Sequence, residues 1–200
     1  MFIDTTSEPD ATGAVADYYA EQRKAWGFLP NYAGVFSHRP AVGNAWTTLN
    51  LTIRSGMDRR RFELATIAAA RTLRSTYCTA AHAKFLRDVC ADEDSLHRIA
   101  EAPDGTTLDE KDRLVYQFAS KVAADATSVS QDDVDQLRSA GLSDGDIADV
   151  VFAVAARSFF TRVLDGLGAQ LDVQTANEFD PALFASMVVG RPAAALPVAG

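Results

Sequence analysis

Cys78 and His82 stand four residues apart in the segment Ser75-Thr76-Tyr77-Cys78-Thr79-Ala80-Ala81-His82. On a helix that spacing puts both side chains on one face, a turn apart and able to touch. Ser75 and Thr76 are good capping residues, so Cys78 falls in a first helical turn. There the positive end of the macrodipole favours thiolate over thiol, and an imidazole beside it acts in the same direction. Glu63 lies on the preceding helix. A tight reversal at Ser75 brings the two helices antiparallel, so that its carboxylate can orient His82 or exchange protons with it. Tyr77 adds a phenolic donor beside the thiol.

The same residues also have a plain packing reading, because cysteine is often a small core residue and Cys-x-x-x-His arises by chance. Cys90, at the apolar end of the same helix, reads as packing. His38 beside Arg39-Pro40 reads as a loop residue, and His97 as one of several polar groups on a short solvated helix. Three histidines, two cysteines and no carboxylate cluster around them argue against a metal site. Neither a glycine-rich phosphate loop nor a Gly-x-Ser-x-Gly elbow is present, and no cofactor is expected.

The elements that must position these groups are helices. Two hundred residues with 48% hydrophobic content suffice for one compact domain with a real core. No alternating run of β-branched and aromatic residues persists, so the class is all-α. Helices are expected at Gly13 to Trp26, ended by the turn before Pro30, and at Pro40 to Ser55, stopped by Gly56. Asp58 is the N-cap of a helix to Leu73, and the next runs from Tyr77 to about Val89. Others are expected at Asp94 to Glu101, Asp109 to Ala124 and Gln131 to Ser139, the last behind a near capping box at Ser130. Ser143 caps a final long apolar helix that breaks near Ser158 and resumes to Leu167. The domain is placed at 1–172, with 173–200 an extension packed on a neighbour or flexible, and 191–200 a tail. Gly56 to Arg71 echoes Gly141 to Arg157 with one gap, Glu63 falling opposite Asp149, which suggests a duplicated helical hairpin.

A net charge of −8 works against nucleic acid and anionic membranes as partners, and no apolar stretch reaches the ~20 residues of a membrane span. A small molecule or another protein is the expected partner. The first residues, Met1 to Glu8, lack the basic and apolar regions of a secretory signal, so the cytoplasm is the expected location. Two cysteines in such a reducing compartment are not a disulfide staple.

Glu63, eleven intervening residues, then Ser75-x-x-Cys78-x-x-x-His82 resembles the signature of the AhpD-like, carboxymuconolactone decarboxylase superfamily. Its redox branch carries Glu, eleven residues, Cys-x-x-Cys, and His after three more. Ala70-Arg71, Gly27-Phe28-Leu29-Pro30-Asn31, Gly141-Leu142-Ser143, Asp149-Val150-Val151 and Arg162 also resemble the peroxidase-related branch, over about residues 10 to 172. The resemblance implies an AhpD-like helical bundle that assembles as a dimer, trimer or hexamer. It implies alkylhydroperoxidase chemistry with Cys78 attacking the peroxide, Glu63 and His82 relaying protons, and Tyr77 in a relay position often held by His. Ser75 departs from the pattern, since it stands where the partner cysteine belongs and a hydroxyl cannot close a disulfide.

Three readings follow. In the first, Cys78 works alone as a thiol peroxidase whose sulfenic acid is reduced by an external thiol; Cys90, three turns or about 18 Å further along a straight helix, is out of disulfide reach. The second is a decarboxylase or isomerase in which His82 or Glu63 moves a proton on a small organic acid held by Arg71 or Arg162. The third is a catalytically degenerate, oligomeric binding or redox-sensing protein. The apolar segments Asp149 to Leu167 and Phe179 to Val189 support self-association.

Overall fold

The computed structural model describes residues 1–194, and they form helices and loops without a strand. In chain order the helices are α1 (Gly13–Trp26), α2 (Asn31–Val35), α3 (Pro40–Gly56), α4 (Arg59–Thr72), α5 (Thr76–Cys90), α6 (Glu93–Glu101), α7 (Glu110–Asp125), α8 (Gln131–Ser139), α9 (Asp144–Leu167), α10 (Val173–Ala176) and α11 (Pro181–Met187), with a 3-10 turn at Ala126–Ser128. No helix is long and apolar enough to cross a membrane, among the described residues.

The expected caps form. Asp58 accepts from the Arg61 amide, and Ser130 and Ser143 build capping boxes with Asp133 and Asp146. The short α2 follows Pro30, whose extended backbone starts it, where only a turn was expected.

Helix α4 is the axis of the molecule. All nine residues from Phe62 to Ala70 are buried, and α5, α7 and α9 pack around them. Alanines at 65, 68, 69 and 70 let the neighbouring helices approach on several sides, while Leu64 and Ile67 fill the space between. Outside this centre, α1 crosses α3 where a Cβ on Gly43 would come within 2.9 Å of the Tyr18 ring. Only glycine allows that contact.

Between α4 and α5 the chain reverses at Arg74, in the left-handed region at φ 59°. The Ser75 amide donates to the Ala70 carbonyl (2.9 Å), which closes the turn, and the Ser75 hydroxyl caps α5 by accepting from the Cys78 amide. This is the reversal that the Glu63–His82 pairing required.

The expected break near Ser158 is corrected. Helix α9 runs unbroken through Ser158, because that hydroxyl turns back onto the Val154 carbonyl (2.9 Å) and leaves the helical ladder intact. The echo of the α4–α5 region is therefore one continuous helix and not a second hairpin. The segment after 172 packs on its own chain. Helix α11 rests on α5 and α6 with Leu183 and Met187 buried, as is Phe179 before it. Beyond α11, Gly190 passes so close to the α4–α5 turn that a Cβ there would overlap the Arg74 carbonyl oxygen, and its amide donates to Thr76 Oγ1 (3.0 Å). Part of the expected 191–200 tail, residues 195–200, lies outside the described residues.

Candidate active site

Antiparallel α4 and α5 bring Glu63 and His82 into contact at the centre of the fold. Glu63 has no exposed surface. Both of its oxygens are occupied: Oε1 accepts from Arg59 Nε and Oε2 from His82 Nδ1, each at 2.5 Å. Burial pushes the Glu63 carboxyl up, but His82 and Arg59 outweigh it and hold the group below the usual carboxylate range. His82 moves the opposite way to what its carboxylate neighbour alone would do. Burial, reinforced by the Arg157 charge, lowers it to about 4 against the pull of Glu63. Near neutral pH the pair is thus a carboxylate and a neutral imidazole. With the proton on Nδ1 facing Glu63, Nε2 carries a free lone pair.

Cys78 lies one helical turn before His82 and is 1% exposed. The expectation of a ready thiolate is corrected here: burial pushes the Cys78 thiol up, and Arg157 and the Ser75 hydroxyl oppose that only in part. A neutral His82 also supplies no positive charge to hold a thiolate. Deprotonation at this sulfur needs a base, and His82 follows it by one turn on the same face of α5.

Arg157 of α9 is the group the sequence reading passed over. It is 2% exposed, its Nη1 stands 3.6 Å from Cys78 Sγ, and its Nη2 donates to Asn50 Oδ1 of α3 at 3.4 Å. No carboxylate pairs with it, and its Nε is buried without a hydrogen-bond partner, among the described residues. Instead the guanidinium lies 5.4 Å from the ring centres of both Trp46 and Phe160. The signal was available: one arginine amid the apolar run from Val150 to Phe160.

These groups open onto a cavity of about 470 Å³. Its walls include Trp26, Tyr32, Trp46, Phe62, Phe85 and Phe160, with the polar Asn50, Arg54, Arg59, Glu63, Cys78, His82 and Arg157 among them. Another concavity, of about 550 Å³ between α7 and α8, is lined by Glu110, Arg113, Asp132 and Asp135 and holds no cysteine or histidine. Cys78, His82 and Glu63 all line the first.

The remaining expected site residues take other places. The Tyr77 ring lines the cavity, but its hydroxyl donates to Asp172, whose other oxygen accepts from the Asn31 amide at 2.6 Å. Tyr77 is one residue from Cys78, about 100° around α5, and its phenol ties α5 to the chain before α10. Ser75 caps α5, with its Oγ 3.5 Å from the Cys78 amide. Arg71, two turns or about 12 Å beyond Glu63 on α4, donates to the Ser186 carbonyl (2.9 Å) and ties α4 to α11. Arg162 is exposed on α9, about 140° around the axis from Arg157. Neither arginine reaches the cavity, and Arg157, Arg54 and Arg59 supply its positive charge. Cys90 is half-buried at the far end of α5.

Residues 40–106 match the carboxymuconolactone decarboxylase family, which places that domain across α3 to α6. The chain is 36% identical over 86 residues to an alkyl hydroperoxide reductase of Mycobacterium tuberculosis, a stretch that is 42% of this chain and 25% of that protein. It thus spans about a quarter of the length of that curated relative. The fold is similar to the alkylhydroperoxidase AhpD core of an uncharacterized peroxidase-related protein from Ralstonia eutropha, with TM-score 0.77 and 19% identity over 95% of this chain and 97% of the other. It is also similar to the debrominase Bmp8 in complex with 2,3,4-tribromopyrrole, with TM-score 0.71 and 14% identity over 94% and 96% of the two chains.

Proposed function

For this chain, which carries a carboxymuconolactone decarboxylase family domain in the helical AhpD fold, we propose a thiol-dependent peroxidase activity on organic hydroperoxides through Cys78 alone. One observation carries the reading. The Cys78 sulfur has a guanidinium without a counter-charge 3.6 Å away, and one turn further on the same face of α5 stands an imidazole whose Nδ1 is fixed by a buried carboxylate. The likeness to an alkyl hydroperoxide reductase supports it.

In the proposed cycle His82 Nε2 takes the proton from the thiol as Arg157 stabilises the forming thiolate. The sulfur attacks the terminal peroxide oxygen, the O–O bond breaks, and the proton on His82 passes to the departing alkoxide. The products are a Cys78 sulfenic acid and an alcohol. One external thiol condenses with the sulfenic acid, releasing water and leaving a mixed disulfide, and a second releases the Cys78 thiol and a disulfide product. Ser75 cannot serve as the resolving group, and Cys90 lies about three helical turns, or ~18 Å, away. Stopped-flow consumption of cumene hydroperoxide with a small thiol reductant tests the cycle, with selective sulfenylation of Cys78 expected by mass spectrometry. Wild type is expected to be at least 10³-fold faster than C78S, and equal rates would sink the reading.

A second reading has its own support in the same geometry: the Glu63–His82 pair is complete without the thiol, and residues 40–106 match a decarboxylase family. There His82 Nε2 would move a proton on a small organic acid. A C78S protein that turns over a carboxylated lactone as fast as wild type would favour it. Self-association, in a reducing cytoplasm, belongs to the same proposal. Its surface would be the exposed Leu49 and Leu51 of α3 with Phe152 and Phe159 of α9, to be read by sedimentation velocity.

A further inference from the structure

The cavity's charge is of the wrong sign for the protein that holds it. The chain carries a net −8, yet three arginines (54, 59 and 157) and two carboxylates (Glu21 and Glu63) line the cavity, a balance of +1. The two carboxylates are not equivalent, since Glu63 is fully committed to Arg59 and His82 while Glu21 sits exposed on α1.

Helix α3 shows where that surplus is placed. Trp46, Asn50 and Arg54 follow at intervals of four, so they form one stripe, and all three line the cavity. Asn50 marks the level of the sulfur, because Arg157 bridges it to Cys78. Arg54 stands one turn further along, ~6 Å by the helical rise. Arg54 has no ion-pair or hydrogen-bond partner among the described residues. It is half-buried, and burial together with the neighbouring Arg59 charge disfavours its protonated form. Two guanidiniums close enough to repel, beside aromatic walls and with one of them unpartnered, make a place for an anion that the protein itself does not fill.

The geometry points to a carboxylate-binding subsite at Arg54 in the cavity, which makes the preferred substrate an apolar, aryl-sized organic acid whose reacting group lies ~6 Å from its carboxylate. The carboxylate is received by Arg54 with Arg59 behind it, and the apolar body lies along Trp46 and Phe85. The reacting end then meets Cys78. As a peroxidase substrate this is a hydroperoxide such as the 4-carboxylate of cumene hydroperoxide. The inference rests on the reading of this cavity as the substrate site but not on the reaction carried out there.

Both tryptophans of the chain, Trp26 and Trp46, line the cavity, so intrinsic fluorescence reports its occupancy directly. The probes are 4-isopropylbenzoate, which has no peroxide, and the neutral 2-phenylpropan-2-ol of similar size. Wild-type protein is expected to bind the acid at least tenfold more tightly than the alcohol. R54Q should abolish that difference, and R54K should retain part of it. Equal affinity for the two probes in wild type, or an undiminished preference in R54Q, overturns the inference. So does a preference lost in R157M and kept in R54Q, which would move the anion to the sulfur's own arginine. A protein without peroxidase activity that shows Arg54-dependent binding would end the peroxidase reading and leave the subsite standing. An active peroxidase indifferent to the carboxylate would do the reverse.

Discussion

The two walls of the cavity treat buried charge in opposite ways. On the α4–α5 wall every polar atom of the Glu63 carboxylate has a partner, and the imidazole it holds has one nitrogen fixed and one free. On the facing α9 wall Arg157 is equally buried but has no carboxylate, a long contact to sulfur and an unpartnered Nε. A satisfied buried network rigidifies its members, whereas a lone buried cation is unfavourable for folding. The first wall leaves its buried carboxylate fully partnered, and the second leaves a buried cation without a counter-charge among the described residues.

Replacing Glu63 is expected to have the largest effect, because it damages the satisfied wall in two ways. In E63Q one oxygen becomes an amide donor and must face either Arg59, another donor, or His82. Facing His82, it draws the imidazole proton to Nε2 and removes the base. We expect a fall of about 100-fold or more in kcat and a loss of about 3 kcal/mol of stability. R157M should separate the two quantities: the rate falls about 100-fold while stability stays level or rises by about 1 kcal/mol, since the variant no longer buries an unpaired charge. Urea unfolding beside peroxide kinetics reads both. If R157M destabilised as much as E63Q, the contrast between the walls would fail.

Acid should act on the first wall through His82. Its folded value of about 4 lies below the ordinary histidine value of 6.5, so between those pH values the unfolded chain binds more protons than the native one. Stability therefore rises with pH across that window and is lost as pH falls through it, with a slope of at most ~1.4 kcal/mol per pH unit from this group. Glu63, held below 4.5, adds to acid sensitivity only from about 4.5 downward. Unfolding curves from pH 7 to 4 should show the slope in wild type and a flatter profile in H82N. Parallel profiles would mean that His82 is charged in the folded protein.

Much of the first wall was legible in the sequence, because its information is local. The capping residues at 58 and 75, the four-residue step from Cys78 to His82 and the short reversal between helices fix which faces meet, and Glu63 follows. The second wall comes from residues about 80 to 110 positions away from Cys78 and Arg157 respectively in the chain, as in the Arg157–Cys78 and Arg157–Asn50 contacts, and no local spacing encodes those. Arg71 and Arg162 lie outside the cavity for that reason: helical phase decides which cation faces inward, and phase is read from packing. The same limit applied after residue 172, where α11 is short and its apolar residues meet α5 and α6 across some ninety positions of sequence.

Tyr77 gives the smallest expected effect and the sharpest discrimination between a relay and an anchor. Its hydroxyl donates to Asp172, and burial pushes the Asp172 carboxyl up, with Tyr77 and the Asn31 amide holding it down. Y77F removes a donor from a buried carboxylate that keeps the Asn31 amide, so a loss of about 1 to 2 kcal/mol is expected, with the ring contacts to Tyr32 preserved. Peroxide reduction should stay within about threefold of wild type, because no proton in the proposed cycle passes through the phenol. A large fall in kcat with unchanged urea midpoint would put Tyr77 on the proton path and extend the satisfied wall past Glu63 and His82. A shifted midpoint with near-normal turnover keeps the relay to those two residues and leaves Tyr77 as the anchor that holds α5, and with it Cys78, against the chain before α10.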